Sequence, residues 1–239
     1  MTPAIYSIEG NIGSGKSTLL SLLDKQKKLN KYFLDNVVYL SEPVETWSTI
    51  KDTAGMPILE KFYKDQTKYA FSFQMMAYIS RLSQLRNAIK TNPYAIFITE
   101  RSVYTDKNVF AKMLYDDNKI EKVNYDIYLK WFDEFVYDIP LNGIIYVKTD
   151  PKICSSRIKE RNRQGETIPL EYSNQCHKYH EEWIHQTKHK VLTLDGNQSS
   201  KTHVKEEWLD KIKTFLHPDN YTVVNKNISF DDIINKTFC

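Results

Sequence analysis

Cysteine is scarce in this chain of 239 residues: Cys154, Cys176 and Cys239 are odd in number and show no C-x-x-C spacing. A disulfide framework and a zinc ribbon are both disfavoured, so a reducing compartment, the cytoplasm, is the expected location. Seven glycines and eight prolines are too few for a collagenous or low-complexity chain, and a hydrophobic content of 41% excludes a largely disordered one. No run approaches the roughly 18 consecutive apolar residues of a membrane span. Residues 1–8 lack the basic region, apolar stretch and small-residue cleavage site of a secretory signal. Charge is almost balanced, with 33 Lys and Arg against 30 Asp and Glu for a net +3, too small a surplus for unspecific attraction to nucleic acid. Neither a membrane nor nucleic acid is expected as a partner, and any basic site must be local.

What is present is an alternation of two periodicities. Short apolar runs rich in β-branched and aromatic residues, at 4–8, 37–40, 95–99, 143–147 and 191–194, have the length of strands. Between them, 69–89, 120–137, 169–188 and 201–216 carry apolar residues at helical spacing. Strands separated by helices predict βαβ crossovers and a parallel sheet covered on both faces. With no internal repeat and no Ser/Gly linker, one domain is expected over 1–216, followed by a weakly patterned appendage of unknown role over 217–239.

The strongest local signal is Gly10, Asn11, Ile12, Gly13, Ser14, Gly15, Lys16, Ser17 and Thr18, which satisfies G-x-x-x-x-G-K-[ST] between a predicted strand and a predicted helix. Glycines allow backbone N–H groups to converge on phosphate oxygens at a helix N-terminus. Lys16 would neutralise the β- and γ-phosphates, and the Ser17 hydroxyl can ligate Mg²⁺. A nucleoside triphosphate is therefore the expected ligand; the motif alone does not say what becomes of it.

Ligands of open α/β sheets sit beyond the carboxyl ends of strands. The second predicted strand runs into Glu42, and the third into Glu100 and Arg101. Glu100 stands where P-loop enzymes commonly keep a magnesium-binding acid. Arg157 and Arg161 share a predicted helical face, with Arg163 just beyond. They could close over a triphosphate and stabilise charge in a loose phosphoryl-transfer transition state, or form a solvated basic face.

These pieces, in this order, resemble the deoxynucleoside kinase family, in its deoxycytidine and deoxyguanosine kinase group. The likeness extends from Ile5 to about Leu216. It includes Ile8-Glu9-Gly10-Asn11-Ile12, Glu42-Pro43-Val44 with Trp47, Phe71-Ser72-Phe73-Gln74, Ser80-Arg81, the run from Glu100 to Asp106, and Ile168-Pro169-Leu170-Glu171-Tyr172. The resemblance implies an α/β, three-layer P-loop kinase fold: a five-stranded parallel sheet flanked by helices, with an arginine-bearing lid. It implies transfer of the γ-phosphoryl group of ATP to the 5′-hydroxyl of a deoxyribonucleoside, with Mg²⁺, in nucleotide salvage, by a homodimer. On the family pattern Glu42 is the general base and Arg101 positions the hydroxyl and the transferred group. Glu100 organises Mg²⁺, although it could also be the proton acceptor. Tyr63 and Glu166 would hold the sugar 3′-hydroxyl, Gln74, Arg81 and Asp106 the base edge, and Trp47 and Phe110 the apolar walls. Arg81, Asp106 and the small Ala77 point to deoxycytidine or purine deoxynucleosides rather than thymidine.

The segment from Arg163 to Ile168 is one residue shorter than the resemblance leads one to expect, and the stretch after Asp195 lacks an acidic–aromatic pair for the donor base. A nucleoside monophosphate kinase would need cations, not Glu42, facing its acceptor; a regulatory P-loop ATPase is the other alternative. Cys176, His177, His180, His185 and His189 invite a metal reading, but they run along one predicted helix with no second element to complete a ligand set. A solvated helix face is expected there.

Overall fold

The hexapeptide Ala-Ile-Tyr-Ser-Ile-Glu is buried along its whole length, as a strand must be when helices cover both faces of its sheet. In the computed structural model, which describes residues 3–29, 36–136, 139–163, 166, 168–198 and 201–216, this is β1 (Ala4–Glu9). It is followed by α1 (Lys16–Leu29), β2 (Val37–Leu40), α2 (Val44–Thr49), α3 (Ile58–Lys64), α4 (Gln66–Thr91) and β3 (Ile96–Glu100). Then come α5 (Val103–Thr105), a π-helical turn over Asp106–Ala111, α6 (Lys112–Asp116), α7 (Lys122–Val136) and β4 (Leu141–Lys148). The chain continues through α8 (Pro151–Arg161), α9 (Leu170–Gln186), β5 (Lys190–Asp195), a 3-10 turn over Gly196–Gln198 and α10 (Glu206–Phe215).

The five strands pair in parallel in the order β2-β3-β1-β4-β5. Alternation along β1 sorts the core into two layers. Ala4, Tyr6 and Ile8 pack with Leu19, Leu20 and Leu23 of α1 and Trp208 and Ile212 of α10. Ile5, with Phe97 and Ile144, packs with Tyr78, Leu82 and Leu85 of α4, Tyr128 and Phe132 of α7, and Trp183 of α9. Each wholly buried side chain of this kind contributes roughly 1.5–3 kcal/mol against solvent exposure.

The five expected strands are all present: β2 has the expected bounds, β3 is shifted by one residue, and β1, β4 and β5 are longer by one to three residues. Helix α4 starts earlier than its apolar spacing predicts because the Asp65 carboxylate caps it, accepting from the Lys68 N–H. Helix α10 starts later, at Glu206 rather than 201. The expected appendage over 217–239 lies outside the described residues. Strand order reverses between β1 and β3, so the loops leaving those two strands border one crevice.

Candidate active site

The loop after β1 and the start of α1 form one wall of that crevice. Gly10 has φ 142° and Gly13 φ 79°; an added Cβ would lie 2.5 Å from the Val147 carbonyl oxygen at Gly10 and 2.6 Å from that of Cys154 at Gly13. Only glycine lets this loop curl so tightly over β4 and α8. The Lys16 ammonium is buried and donates to the Asn11 carbonyl at 2.7 Å. Burial, and then Arg101, pull its pKa down to about 8, against the attraction of Glu100 and Glu42.

Beyond the strand ends opens a cavity of about 1050 Å³. Ile12, Gly13, Gly15, Lys16, Ser17 and Thr18 line it, whereas Gly10, Asn11 and Ser14 lie behind its wall. Asn11 turns its amide to α9, donating to the Ser173 carbonyl at 2.9 Å and to its hydroxyl at 3.2 Å. Every other residue singled out as a site candidate lines the cavity: Glu42, Trp47, Tyr63, Gln74, Arg81, Glu100, Arg101, Asp106, Phe110, Arg157, Arg161, Arg163 and Glu166.

At its centre Glu42 Oε1 lies 3.1 Å from Arg81 Nη2 and 3.4 Å from Arg101 Nε. Burial pushes the Glu42 carboxyl up, but Arg101, Arg81 and Lys16 outweigh it and hold it below the ordinary range. Arg81 also meets Asp106, Nε to Oδ2 at 3.0 Å and Nη2 to Oδ1 at 3.4 Å, and donates to the Glu100 carbonyl at 2.8 Å. Burial raises the pKa of Asp106 despite its partner. Gln74 Oε1 is buried with no hydrogen-bond partner, an acceptor held ready at the cavity wall; a buried polar atom left so is costly unless a ligand satisfies it.

Aromatic walls complete the enclosure. Trp47 meets Phe73 edge-on at 5.3 Å and anchors its indole N–H on Ser80 Oγ at 2.9 Å, while Phe62 stacks on Phe73 at 4.8 Å. The Arg101 guanidinium lies over the Phe110 ring at 4.8 Å. Asp106 and Phe110 reach the same cavity from the π-helical turn, a local widening often found at functional sites. Nothing in the apolar spacing announces that turn.

Arg157 and Arg161 of α8, and Arg163 just beyond it, meet protein partners. Arg157 donates to the Ser14 carbonyl at 3.2 Å and the Gly196 carbonyl at 3.0 Å. Arg161 pairs with Glu166 at 2.5 Å, and Arg163 stands 4.0 Å from the same carboxylate. Glu166 is close enough to Tyr63 to add to the rise that burial imposes on that phenol's pKa.

Two contributors were not foreseen. Glu9, buried at the end of β1, accepts from Ser102 Oγ at 2.7 Å and from the Thr105 hydroxyl, tying the P-loop strand to the turn after β3. The expected solvated face of α9 is only partly so: Cys176 and His180 are completely buried, and His180 reaches Arg101. Tyr172, Cys176, Tyr179 and Trp183, aromatic or apolar residues at helical spacing, were the available signal for an inward face.

A strand, phosphate loop and helix at one end of a parallel sheet, with acids and arginines across a deep cavity, define a P-loop phosphotransferase. Comparison with known proteins is more specific. The sequence model of the family described as deoxynucleoside kinase matches residues 6–217. A protein of fowlpox virus (strain NVSL) named probable deoxycytidine kinase is 40% identical, covering 80% of this chain and 78% of its own. Deoxycytidine kinase 2 of Gallus gallus is 33% identical over 88% of this chain and 89% of its own, and a mitochondrial deoxyguanosine kinase of Xenopus laevis 30% identical over 74% and 72%. The chain belongs to the deoxynucleoside kinase family. It is a nucleoside kinase, a transferase of nucleotide salvage, and the family implies ATP as its phosphoryl donor.

Proposed function

We propose that the cavity binds a deoxyribonucleoside with its 5′-hydroxyl against Glu42 and its base against Gln74, Arg81 and Asp106. The observation that carries this reading is Glu42, held between Arg81 and Arg101 in the cavity that the phosphate loop also lines. Two guanidiniums keep the carboxylate ionised, and a carboxylate favours a neutral acceptor over a phosphorylated one. Glu42 accepts the hydroxyl proton as the 5′-oxygen bonds to the γ-phosphorus and the bond to the ADP oxygen breaks. Arg101 spans acceptor and transferred group and offsets the developing charge. Tyr63 and Glu166 hold the 3′-hydroxyl; Trp47 and Phe110 sandwich the base. Arg157, Arg161 and Arg163 exchange their present partners for the triphosphate.

Ser17 Oγ and a Glu100 carboxylate oxygen, 2.5 Å apart at the cavity wall, are a hard-oxygen donor pair that fits Mg²⁺. Bound there with the triphosphate, the ion would neutralise the β- and γ-oxygens. Deoxycytidine or a purine deoxynucleoside is the proposed acceptor rather than thymidine. The buried Arg81–Asp106 pair offers fixed donors and acceptors to a base edge, and Ala77 leaves the wall small. An ATP-consumption assay across the four natural deoxynucleosides and their monophosphates tests both points; turnover of the monophosphates alone would overturn the reading.

A homodimer is proposed through α7 and α4. Val123, Ile127 and Trp131 recur every fourth residue along α7 and are 59%, 42% and 45% exposed, with Ile79 of α4 46% exposed, an apolar stripe suited to a partner helix. No helix among the described residues is long and apolar enough to cross a membrane. The cytoplasm is proposed as the compartment, in keeping with the free, buried thiols of Cys154 and Cys176.

A further inference from the structure

Arg101 occupies an expensive position. Its backbone has φ 63°, a left-handed conformation that is costly for a non-glycine residue and persists only where the surroundings over-determine it. Its N–H donates to the Ile8 carbonyl at 3.0 Å, and its own carbonyl accepts from Thr99 Oγ1 at 2.7 Å. These bonds fix the main chain. They do not fix the long side chain, whose guanidinium must stand between phosphate loop and Glu42.

The side chain is held from α9. His180 Nδ1 lies 2.6 Å from the Cys176 carbonyl oxygen. A carbonyl only accepts, so Nδ1 carries the hydrogen, and the other ring nitrogen of a neutral imidazole is then a bare lone pair. That nitrogen, Nε2, lies 3.4 Å from Arg101 Nη1, which has hydrogens and no lone pair to offer. Nη1 has two hydrogens, and the Gly10 carbonyl takes the other at 3.0 Å. The ring itself is fixed by stacking on Tyr146 and by the edge of Phe110. Burial, then the positive charge of Arg101, push the imidazole pKa well below its ordinary value, in keeping with a neutral acceptor.

We propose that His180, as its Nδ1–H tautomer, is a positioning residue for phosphoryl transfer: Nε2 and the Gly10 carbonyl together hold the Arg101 guanidinium in line with Glu42. The inference rests on the reading of Arg101 as the group that spans acceptor and transferred phosphoryl. Nδ1–H is the less common tautomer in water, so its presence at neutral pH is a specific signature.

The test has a part independent of catalysis. In ¹⁵N-histidine-labelled protein, the His180 signals, identified by their loss in His180→Gln, should show a protonated Nδ1 and an unprotonated Nε2 at pH 7. An Nε2–H tautomer or a doubly protonated ring would overturn the proposal, whatever the variants do. In turnover assays, His180→Leu, which keeps bulk but removes the acceptor, should lower kcat by about tenfold or more while KM for the deoxynucleoside changes less than about twofold, since small misplacement of a catalytic group costs rate before affinity. His180→Gln, which can place an amide oxygen near Nε2, should recover most of that loss. In an Arg101→Ala background the His180→Leu change should cost nothing further; an equal loss in both backgrounds would show that His180 acts elsewhere. If Arg101→Ala itself leaves turnover unchanged, the reading of Arg101 fails, while the tautomer remains a separate result.

Discussion

The Ser17 hydroxyl donates to the Glu100 carboxylate across 2.5 Å, although the two residues stand 83 positions apart. One comes from the first turn of α1 and the other from the last residue of β3, so the contact exists only because β1 and β3 are neighbours. With both oxygens turned to the cavity, replacing Glu100 by Ala should raise the Mg²⁺ concentration needed for half-maximal turnover by at least about tenfold, as loss of a ligand or its partner does elsewhere. Titrating Mg²⁺ at fixed ATP measures this; an unchanged requirement would remove Glu100 from metal binding.

Glu42→Gln preserves shape and removes the proposed proton acceptor. Turnover should fall by at least about 100-fold with little change in thermal stability, because general-base loss is worth about that much. Steady-state kinetics beside a melting curve distinguish a chemical defect from an unfolded protein.

Arg81 and Asp106 are completely enclosed together, and breaking such a pair strands the survivor at a cost of about 3–5 kcal/mol. Arg81→Met alone is therefore expected to be the less stable protein, and the triple change Ala77→Val, Arg81→Met, Asp106→Ala the more stable. The triple variant should move preference toward thymidine. Competition between thymidine and deoxycytidine reads it, and retention of the parental preference in a folded variant would show that these residues do not select the base.

Lys16, its pKa brought to about 8 by burial and Arg101, should be driven back to the ammonium form by a bound triphosphate. Below pH 8 it is already charged and ATP affinity should be flat. Above pH 8 each binding event takes up a proton, so affinity should fall by up to about tenfold per pH unit. Calorimetry at pH 9 in buffers of different ionisation enthalpy should reveal the uptake in the parent protein and none in Lys16→Ala.

Trp131→Glu on the exposed stripe of α7 should convert a dimer into a monomer, read by light scattering after size-exclusion chromatography. A parent protein that is itself monomeric at micromolar concentration would refute the interface.

Local patterns in the sequence carried a good deal of this. The five strands were legible because β-branched runs of strand length are bounded by polar segments, and the phosphate loop because its glycines answer a steric demand that no other residue meets. Glu42, Glu100 and Arg101 were legible as strand-end residues. What periodicity could not reveal were the places where direction matters more than type. Asn11 lies within the phosphate motif yet faces α9; His180 lies among charged residues yet faces inward. The π-helical turn that brings Asp106 and Phe110 to one cavity is a slip of a single residue in hydrogen-bond register, invisible to any apolar spacing.

Arg81 serves two masters at once, clasping Asp106 on one side and leaning on Glu42 on the other. With the roles proposed above for Arg81 and Glu42, recognition and reactivity share a wire: loss of that guanidinium lifts one of the influences that depress the Glu42 pKa, which would shift the acidic limb of the rate profile toward neutrality. On that proposal, evolution could not retune which molecule this pocket accepts, by way of position 81, without also retuning how eagerly it deprotonates what it has accepted.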